Sequence, residues 1–358
     1  MSHIVQIPKV FDHDSIKNFP KVEFDNDTVR IGSRKSLLAV RQSEIVGEAI
    51  KRFYPNLSTT ISKVFTLGDQ VQNRPLYSFG GKALWTKELE ILLLQDVGEY
   101  KKIDLIAHSL KDMPTILPDE FELGCIISRE DPRDALVMKK DSPYKSLADL
   151  PAGSIVGTSS VRRSAQINKN YPHLTFKSVR GNIHTRLSKL DAPDSDYACV
   201  ILAAAGLIRC NLDDRITKFL NCNEMYHAVG QGAIGVEIQK NNEKMRLLCS
   251  VIGCRTTTWK CVAERSLLRR LEGGCSVPVG VWSTLEGNNV LRLKAIVLSV
   301  DGQESVEDVH EKVMTCDKDA LDLGLELAEK LIAKGAKKIL DEINFSKVEE
   351  VKQAGLTT

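Results

Sequence analysis

From Thr28 to about Gln239 the chain alternates runs of strand character with runs of helix character, and no other feature narrows its fold so much. Thr28-Val29-Arg30-Ile31-Gly32 is rich in β-branched residues and reads as a strand. Ser36 to Phe53 then shows apolar residues at helical spacing and stops before Pro55, which cannot continue a helix. Ile103 to Ala107 and Ser154 to Gly157 are short apolar runs of the buried-strand kind, and a helix is expected from Val161 to Asn170. Leu174 to Val179 and Cys199 to Ala204 repeat the theme. Strands that alternate with helices are joined by crossovers, so the expected core is an α/β arrangement with a parallel sheet covered on both faces. The texture changes near Thr256. A helix over Val262 to Leu271, strands over Val279 to Leu285 and Val290 to Ser299 joined at Gly287-Asn288-Asn289, and a helix over Ala320 to Lys334 predict a small α+β domain. Residues up to about Asn26 read as a loosely ordered extension.

A chain of 358 residues can bury the cores of two or three domains. Its net charge of +2 argues against a broad attraction for nucleic acid, so cationic function must come from local clustering. The nine cysteines never take the paired spacing of a zinc site, which suits reduced thiols, and His108, His173, His184 and His227 lack metal-ligand spacing. No metal is expected. The N-terminus mixes charged, apolar and proline residues, as neither a secretory signal nor a membrane span does.

In open α/β sheets ligands sit beyond the carboxyl ends of strands. Ser33-Arg34-Lys35-Ser36, His108-Ser109-Leu110-Lys111-Asp112-Met113-Pro114, Gly157-Thr158-Ser159-Ser160-Val161-Arg162-Arg163 and Arg180-Gly181-Asn182-Ile183-His184-Thr185-Arg186 all follow strand-like runs. Thr158, Ser159 and Ser160 are good helix caps, and the free amides of such a turn, with guanidinium groups beside them, suit an anion. Two guanidiniums about 6 Å apart repel by roughly 3 kcal/mol at an effective dielectric near 20, so gathering Arg34, Arg162, Arg163, Arg180 and Arg186 in one cleft would favour a polyanionic occupant. No nucleotide loop accompanies them, which favours a polycarboxylate. Asp112 is the lone acid of the set. It is either an ordinary ion-pair partner or a carboxylate aimed at positive charge that develops during reaction. Gly230-Gln231-Gly232-Ala233-Ile234-Gly235 precedes a strand rather than a helix, so a hinge or close-packed crossover is expected. Ser78 to Glu88 offers a glycine pair before a helix, either a surface loop or a flap. Cys275 lies in the turn Glu272-Gly273-Gly274-Cys275-Ser276-Val277-Pro278, whose small residues leave its sulfur approachable. On residues alone a carboxylate-binding protein remains open. A thiol hydrolase would need a histidine base that the sequence does not nominate.

These motifs, together with Ala228-Val229-Gly230-Gln231-Gly232-Ala233, resemble the porphobilinogen deaminase family, also called hydroxymethylbilane synthase, in order from about Val29 into the C-terminal domain. The resemblance implies two α/β domains like those of periplasmic binding proteins with a cleft between them, and a small C-terminal α+β domain. In this numbering they are an extension at 1–28, domain 1 at 29–129 and 230–247, domain 2 at 130–229, and domain 3 at 248–358. It implies a dipyrromethane cofactor, one per chain, joined covalently to Cys275, onto which four porphobilinogen molecules condense with loss of ammonia before hydrolysis releases the product. It implies that Asp112 is catalytic and also contacts the cofactor. Arg34, Ser36, Lys111, Thr158, Ser159, Arg162, Arg163, Arg180, Arg186 and Gln231 would hold the cofactor. Ser109, Asn182 and Arg209 would join Arg34, Arg162, Arg163, Arg180 and Arg186 in holding substrate. A cytoplasmic monomer that binds no nucleic acid and no membrane completes the expectation.

Overall fold

The computed structural model describes residues 5–11, 22, 27–64, 87–271 and 277–343. In chain order its elements begin with β1 (Thr28–Arg34), α1 (Leu37–Phe53), β2 (Ser58–Val64), α2 (Lys87–Leu94), β3 (Leu105–Ser109) and β4 (Phe121–Ile126). Next come β5 (Asp134–Met138), β6 (Ile155–Gly157), α3 (Val161–Asn170), β7 (Thr175–Lys177), α4 (Ile183–Asp191), β8 (Tyr197–Ala203) and α5 (Ala204–Arg209). They are followed by β9 (Lys218–Leu220), β10 (Ile234–Gln239), α6 (Glu243–Ile252), α7 (Arg255–Arg270), β11 (Val279–Glu286), β12 (Val290–Leu298), β13 (Ser305–Val313) and α8 (Asp317–Ala333). Two compact units result, one of Met1–Pro132, Ala205–Asp213 and Gly230–Val262, the other of Arg133–Ala204, Asp214–Val229 and Ala263–Thr358.

The first unit is built on a five-stranded sheet in the order β2-β1-β3-β10-β4. Helix α1 forms because Ser36 caps it and its apolar positions recur at helical spacing, which turns Val46 and Ile50 inward. These meet Val29, Ile31, Leu105, Ala107, Val236 and Ile238 from the sheet and Met245 and Leu248 from α6. Burying each such side chain contributes about 1.5–3 kcal/mol. Leu89, Leu92 and Leu93 of α2 cover Ile106 in a separate cluster. Part of the N-terminal extension packs against this unit, contrary to the expected loose order. Val5 and Val10 are buried, Phe11 donates its N–H to Ser250 O at 2.8 Å, and Gln6 Oε1 accepts from Leu123 N at 2.9 Å. The extension thereby caps an amide of β4, an edge strand that would otherwise present it bare.

The second unit holds a sheet in the order β7-β6-β8-β5-β9 and a three-stranded antiparallel sheet β11-β12-β13 covered by α8. The hairpin expected at Gly287-Asn288-Asn289 is present, with Asn288 and Asn289 at φ 58° and 57°, the left-handed region that asparagine tolerates.

Neither five-stranded sheet is purely parallel, which corrects the expectation. β1 runs parallel to β2 and β3, but β10 is antiparallel to β3 and β4. β6 runs parallel to β7 and β8, but β5 is antiparallel to β8 and β9. The two reversed strands are those with which the chain begins its passage into a new unit, at Arg133 and at Gly230. They are entered without the helical crossover that would force parallel pairing.

Candidate active site

In the first unit the strand ends carry the expected polar residues. Arg34 ends β1 half-buried, and the Ser36 hydroxyl accepts from Ala39 N at 3.4 Å as the α1 cap. Ser109 ends β3 with its hydroxyl engaged by Gln42 of α1: Gln42 Nε2 donates to it at 2.8 Å, and it donates to Gln42 Oε1 at 3.2 Å. One turn of 3-10 helix follows, Leu110–Asp112. Leu110 and Met113 anchor that turn by burying themselves with Leu117, Leu123 and Ile126, and Leu110 N donates to Ala233 O at 3.0 Å. With both flanking apolar residues turned inward, Lys111 stays half-buried and Asp112 is exposed. Among the described residues no hydrogen bond or ion pair engages the Asp112 carboxylate.

The segment Gly230-Gln231-Gly232 is a close-packed crossover. Gly230 and Gly232 take φ of 70° and 82°, and a Cβ on Gly232 would stand 2.5 Å from Glu130 O, so only glycine fits. Gln231 is buried and donates Nε2 to Pro132 O at 2.7 Å, while Arg129 Nε donates to Gln231 O at 2.8 Å. Arg209 is also buried, its Nη2 donating to Gly232 O at 2.7 Å. Burial pulls the Arg209 pKa down to about 10 against the opposing pull of Glu130, so the group remains a cation near neutral pH.

In the second unit Thr158 is buried, and its hydroxyl accepts from Ser160 N at 3.2 Å. Ser159 is exposed; its hydroxyl donates to Val179 O at 3.0 Å and lies 2.7 Å from Ser178 Oγ. Ser160 caps α3 in extended conformation without a side-chain bond to the helix. Asn182 caps α4, its Oδ1 accepting from Thr185 N at 2.8 Å. Arg186 Nε donates to Gly181 O at 2.8 Å, and Lys189 Nζ to Arg180 O at 3.1 Å. Arg180 and Arg186 are half-buried.

Arg162 and Arg163 are placed differently from what the sequence predicts. Both are buried, and both converge on Asp134, which is wholly buried at the head of β5. Arg162 Nη1 donates to Asp134 Oδ2 at 2.8 Å and to Tyr226 O at 2.5 Å. Arg163 donates Nε and Nη2 to Asp134 Oδ1 at 3.0 and 2.7 Å, and Nη1 to Ile201 O at 2.8 Å. The mutual repulsion of the two guanidiniums is thus relieved by an internal carboxylate. Burial pushes the Arg162 pKa down and Asp134 pulls it back up. Arg162 uses only Nη1 on these partners, which leaves Nε and Nη2 as donors, whereas Arg163 engages all three of its nitrogens.

Sequence reasoning missed Asp134, though an aspartate heading the apolar run Ala135-Leu136-Val137-Met138 was a usable signal, since a buried acid demands a cation. Cys275 and the 78–86 part of the flap segment lie outside the described residues. Among the described residues no cluster of His, Cys, Asp and Glu is arranged to hold a metal, and no helix is long and apolar enough to cross a membrane.

The family description "Porphobilinogen deaminase, dipyromethane cofactor binding domain" matches residues 29–247, and "Porphobilinogen deaminase, C-terminal domain" matches residues 258–333. The porphobilinogen deaminase of Candida albicans is 60% identical over 324 residues, covering 90% of this chain and 95% of that protein. That of Saccharomyces cerevisiae is 56% identical over 324 residues, covering 90% and 99%. That of Schizosaccharomyces pombe is 43% identical over 319 residues, covering 87% and 94%. Among solved structures, the methionine binding protein MetQ aligns at 12% identity with a TM-score of 0.39, covering 67% of this chain and 96% of that one.

Proposed function

Because the chain belongs to the porphobilinogen deaminase family, which makes hydroxymethylbilane from porphobilinogen on a dipyrromethane cofactor, we propose that Asp112 is the carboxylate serving the reacting ring. The observation that carries this is its isolation: an exposed carboxylate without a partner among the described residues, on a turn pinned by two buried side chains. Such a group has no ground-state ion pair to give up. It gains interaction energy as positive charge develops on the ring that loses ammonia, which is where an electrostatic group raises kcat. As an acceptor-only group it also suits pyrrole N–H donors.

The donor set fits a dipyrromethane, whose acetate and propionate groups call for cations and hydroxyls. Lys111, Arg34 and Ser36 offer these in the first unit, and Ser159, Arg162, Arg180 and Arg186 in the second. When bound through Cys275, the cofactor supplies the primer to which substrate is joined. Arg162 holds a carboxylate with its Nε and Nη2. Arg163, Arg209 and Gln231, engaged with Asp134 and main-chain carbonyls, act by fixing the loops that present the others. Ser109, Thr158 and Asn182 hold the strand and helix ends in shape, leaving the Asn182 side-chain amide free to donate to substrate. The division into three domains, 29–129 with 230–247, 130–229 and 248–358, is supported by the presence of three sheets, except that α6 packs on the first sheet as far as Ile252 and so carries the first domain past residue 247. Cys125 and Cys249 are buried as free thiols, in keeping with the reading of a protein that works in a reducing, cytoplasmic setting.

Asp112→Asn tests the assignment. The variant is expected to keep the fold and the covalent cofactor mass and to lose about 100- to 1000-fold in kcat. Turnover near that of the parent would refute it.

A further inference from the structure

Antiparallel pairing sets His108 of β3 opposite Gly235 of β10, and Ile106 opposite Glu237. Directly opposed residues share a face, so His108 and Glu237 stand as diagonal neighbours on one side of the sheet. Glu237 is wholly buried, and the His108 side chain keeps only 10% of its surface. His108 Nε2 lies 2.7 Å from Glu237 Oε2, and with the carboxylate ionised the nitrogen carries the proton and donates. The second oxygen, Oε1, is buried and has no partner among the described residues.

An acid in this position is costly to the fold. Its directly opposed neighbours, Ile106 on β3 and Leu123 on β4, are buried and apolar, and a carboxylate oxygen removed from water without a hydrogen bond opposes folding. An apolar side chain would fill the space more favourably. What lies beyond the pair is the turn that carries Asp112. His108 is followed by Ser109, held by Gln42, and by Leu110, held by Ala233 O and pressed by Gly230, whose Cβ position is 3.1 Å from Leu110 Cγ. Each of these contacts fixes the turn from its own side. The His108–Glu237 bond ties the last residues of β3 to β10 by their side chains, just before the turn begins.

On the reading of Asp112 as the group facing the developing charge, we infer that His108 and Glu237 are positioning residues that fix the end of β3 on β10 and so set where the Lys111–Asp112 turn presents its carboxylate. Neither side chain need touch substrate or cofactor. The effect passes through Asp112, and small misplacement of a reacting group is amplified in the rate.

Glu237→Gln tests this in the cofactor-bearing enzyme, because it keeps shape while replacing a bond to a carboxylate by a weaker one to a neutral amide. We expect kcat about tenfold lower with KM within about twofold, full cofactor mass and a melting temperature within a few degrees of the parent. His108→Phe keeps a ring but removes the bond from the other side and serves if the first variant fails to fold. The two changes together should be no worse than either alone, as expected for one shared interaction. In an Asp112→Asn background, Glu237→Gln should alter the residual rate by less than about twofold. A further tenfold loss in that background would overturn the dyad's role and leave that of Asp112 standing, as would parental kcat in both single variants. Parental turnover in Asp112→Asn itself would remove both.

Discussion

Replacing Asp134 by asparagine should destabilise the second unit more than any surface charge change. Asp134 is fully buried and faces Arg162 Nη1 at 2.8 Å and Arg163 Nη2 at 2.7 Å. With charge centres about 4 Å apart and an effective dielectric near 20, each attraction is about 4 kcal/mol, against roughly 3 kcal/mol of repulsion between guanidiniums about 6 Å apart. Asparagine keeps one acceptor and the shape but leaves two buried cations facing each other. Because desolvation already offsets much of the attraction, the expected loss is about 3–5 kcal/mol, the range found when one partner of a buried ion pair is removed. Trp282, packed at 5.6 Å from the His227 ring, reports on this unit. Urea unfolding followed by Trp282 fluorescence, with the two other tryptophans replaced by phenylalanine, would measure the loss. A change below about 1 kcal/mol would refute the claim that Asp134 is the counter-ion holding both arginines, since breaking a pair of that kind leaves an uncompensated charge.

Two further outcomes are expected. Intact-mass measurement of the purified protein should show the mass of the sequence plus one dipyrromethane, and Cys275→Ser should show the sequence mass alone; an adduct retained in that variant would place the tether elsewhere. Asp319 accepts from the Thr315 hydroxyl at 2.7 Å and from Cys316 N at 2.8 Å and Thr315 N at 2.7 Å at the start of α8, which lowers its pKa from 3.8 to about 2. A depressed carboxylate stabilises the folded state above its unfolded pKa and loses that contribution as pH falls through the folded value. The parent should therefore be about 0.5–1 kcal/mol more stable than Asp319→Ala at pH 7 and melt at a higher temperature, with the gap closing between pH 4 and pH 2. An unchanged gap at pH 2 would contradict the capping role.

Sequence patterns revealed those parts of the fold that rest on local periodicity. Helices α1 and α3 begin and end close to where caps and apolar spacing place them, and the β11–β12 hairpin follows its Gly-Asn-Asn signal. β2 went unread because Ser58-Thr59-Thr60 and Lys63 give an edge strand a mostly polar face. β9 is only three residues long, too short for any period. β5 went unread, and the direction of β10 differs from the parallel expectation, since direction depends on where a strand is entered from, not on its own residues. The candidate site divides in the same way. Asp112 and its anchors Leu110 and Met113 are local and legible. The role of Arg162 and Arg163 is not, because their counter-ion is separated from them by 28 and 29 positions and nothing in Ser-Ser-Val-Arg-Arg announces it. His108 and Glu237 are separated by 129 positions, and only the pairing of β3 with β10 brings them together.

The role of Asp112 is tested most directly by mixing the cofactor-bearing Asp112→Asn enzyme with porphobilinogen, quenching at successive times and weighing the intact protein. Masses with added pyrrole units should appear about 100-fold more slowly than in the parent, from a starting peak that carries the full cofactor. Additions accumulating at the parental rate would show that the reacting ring does not depend on this carboxylate.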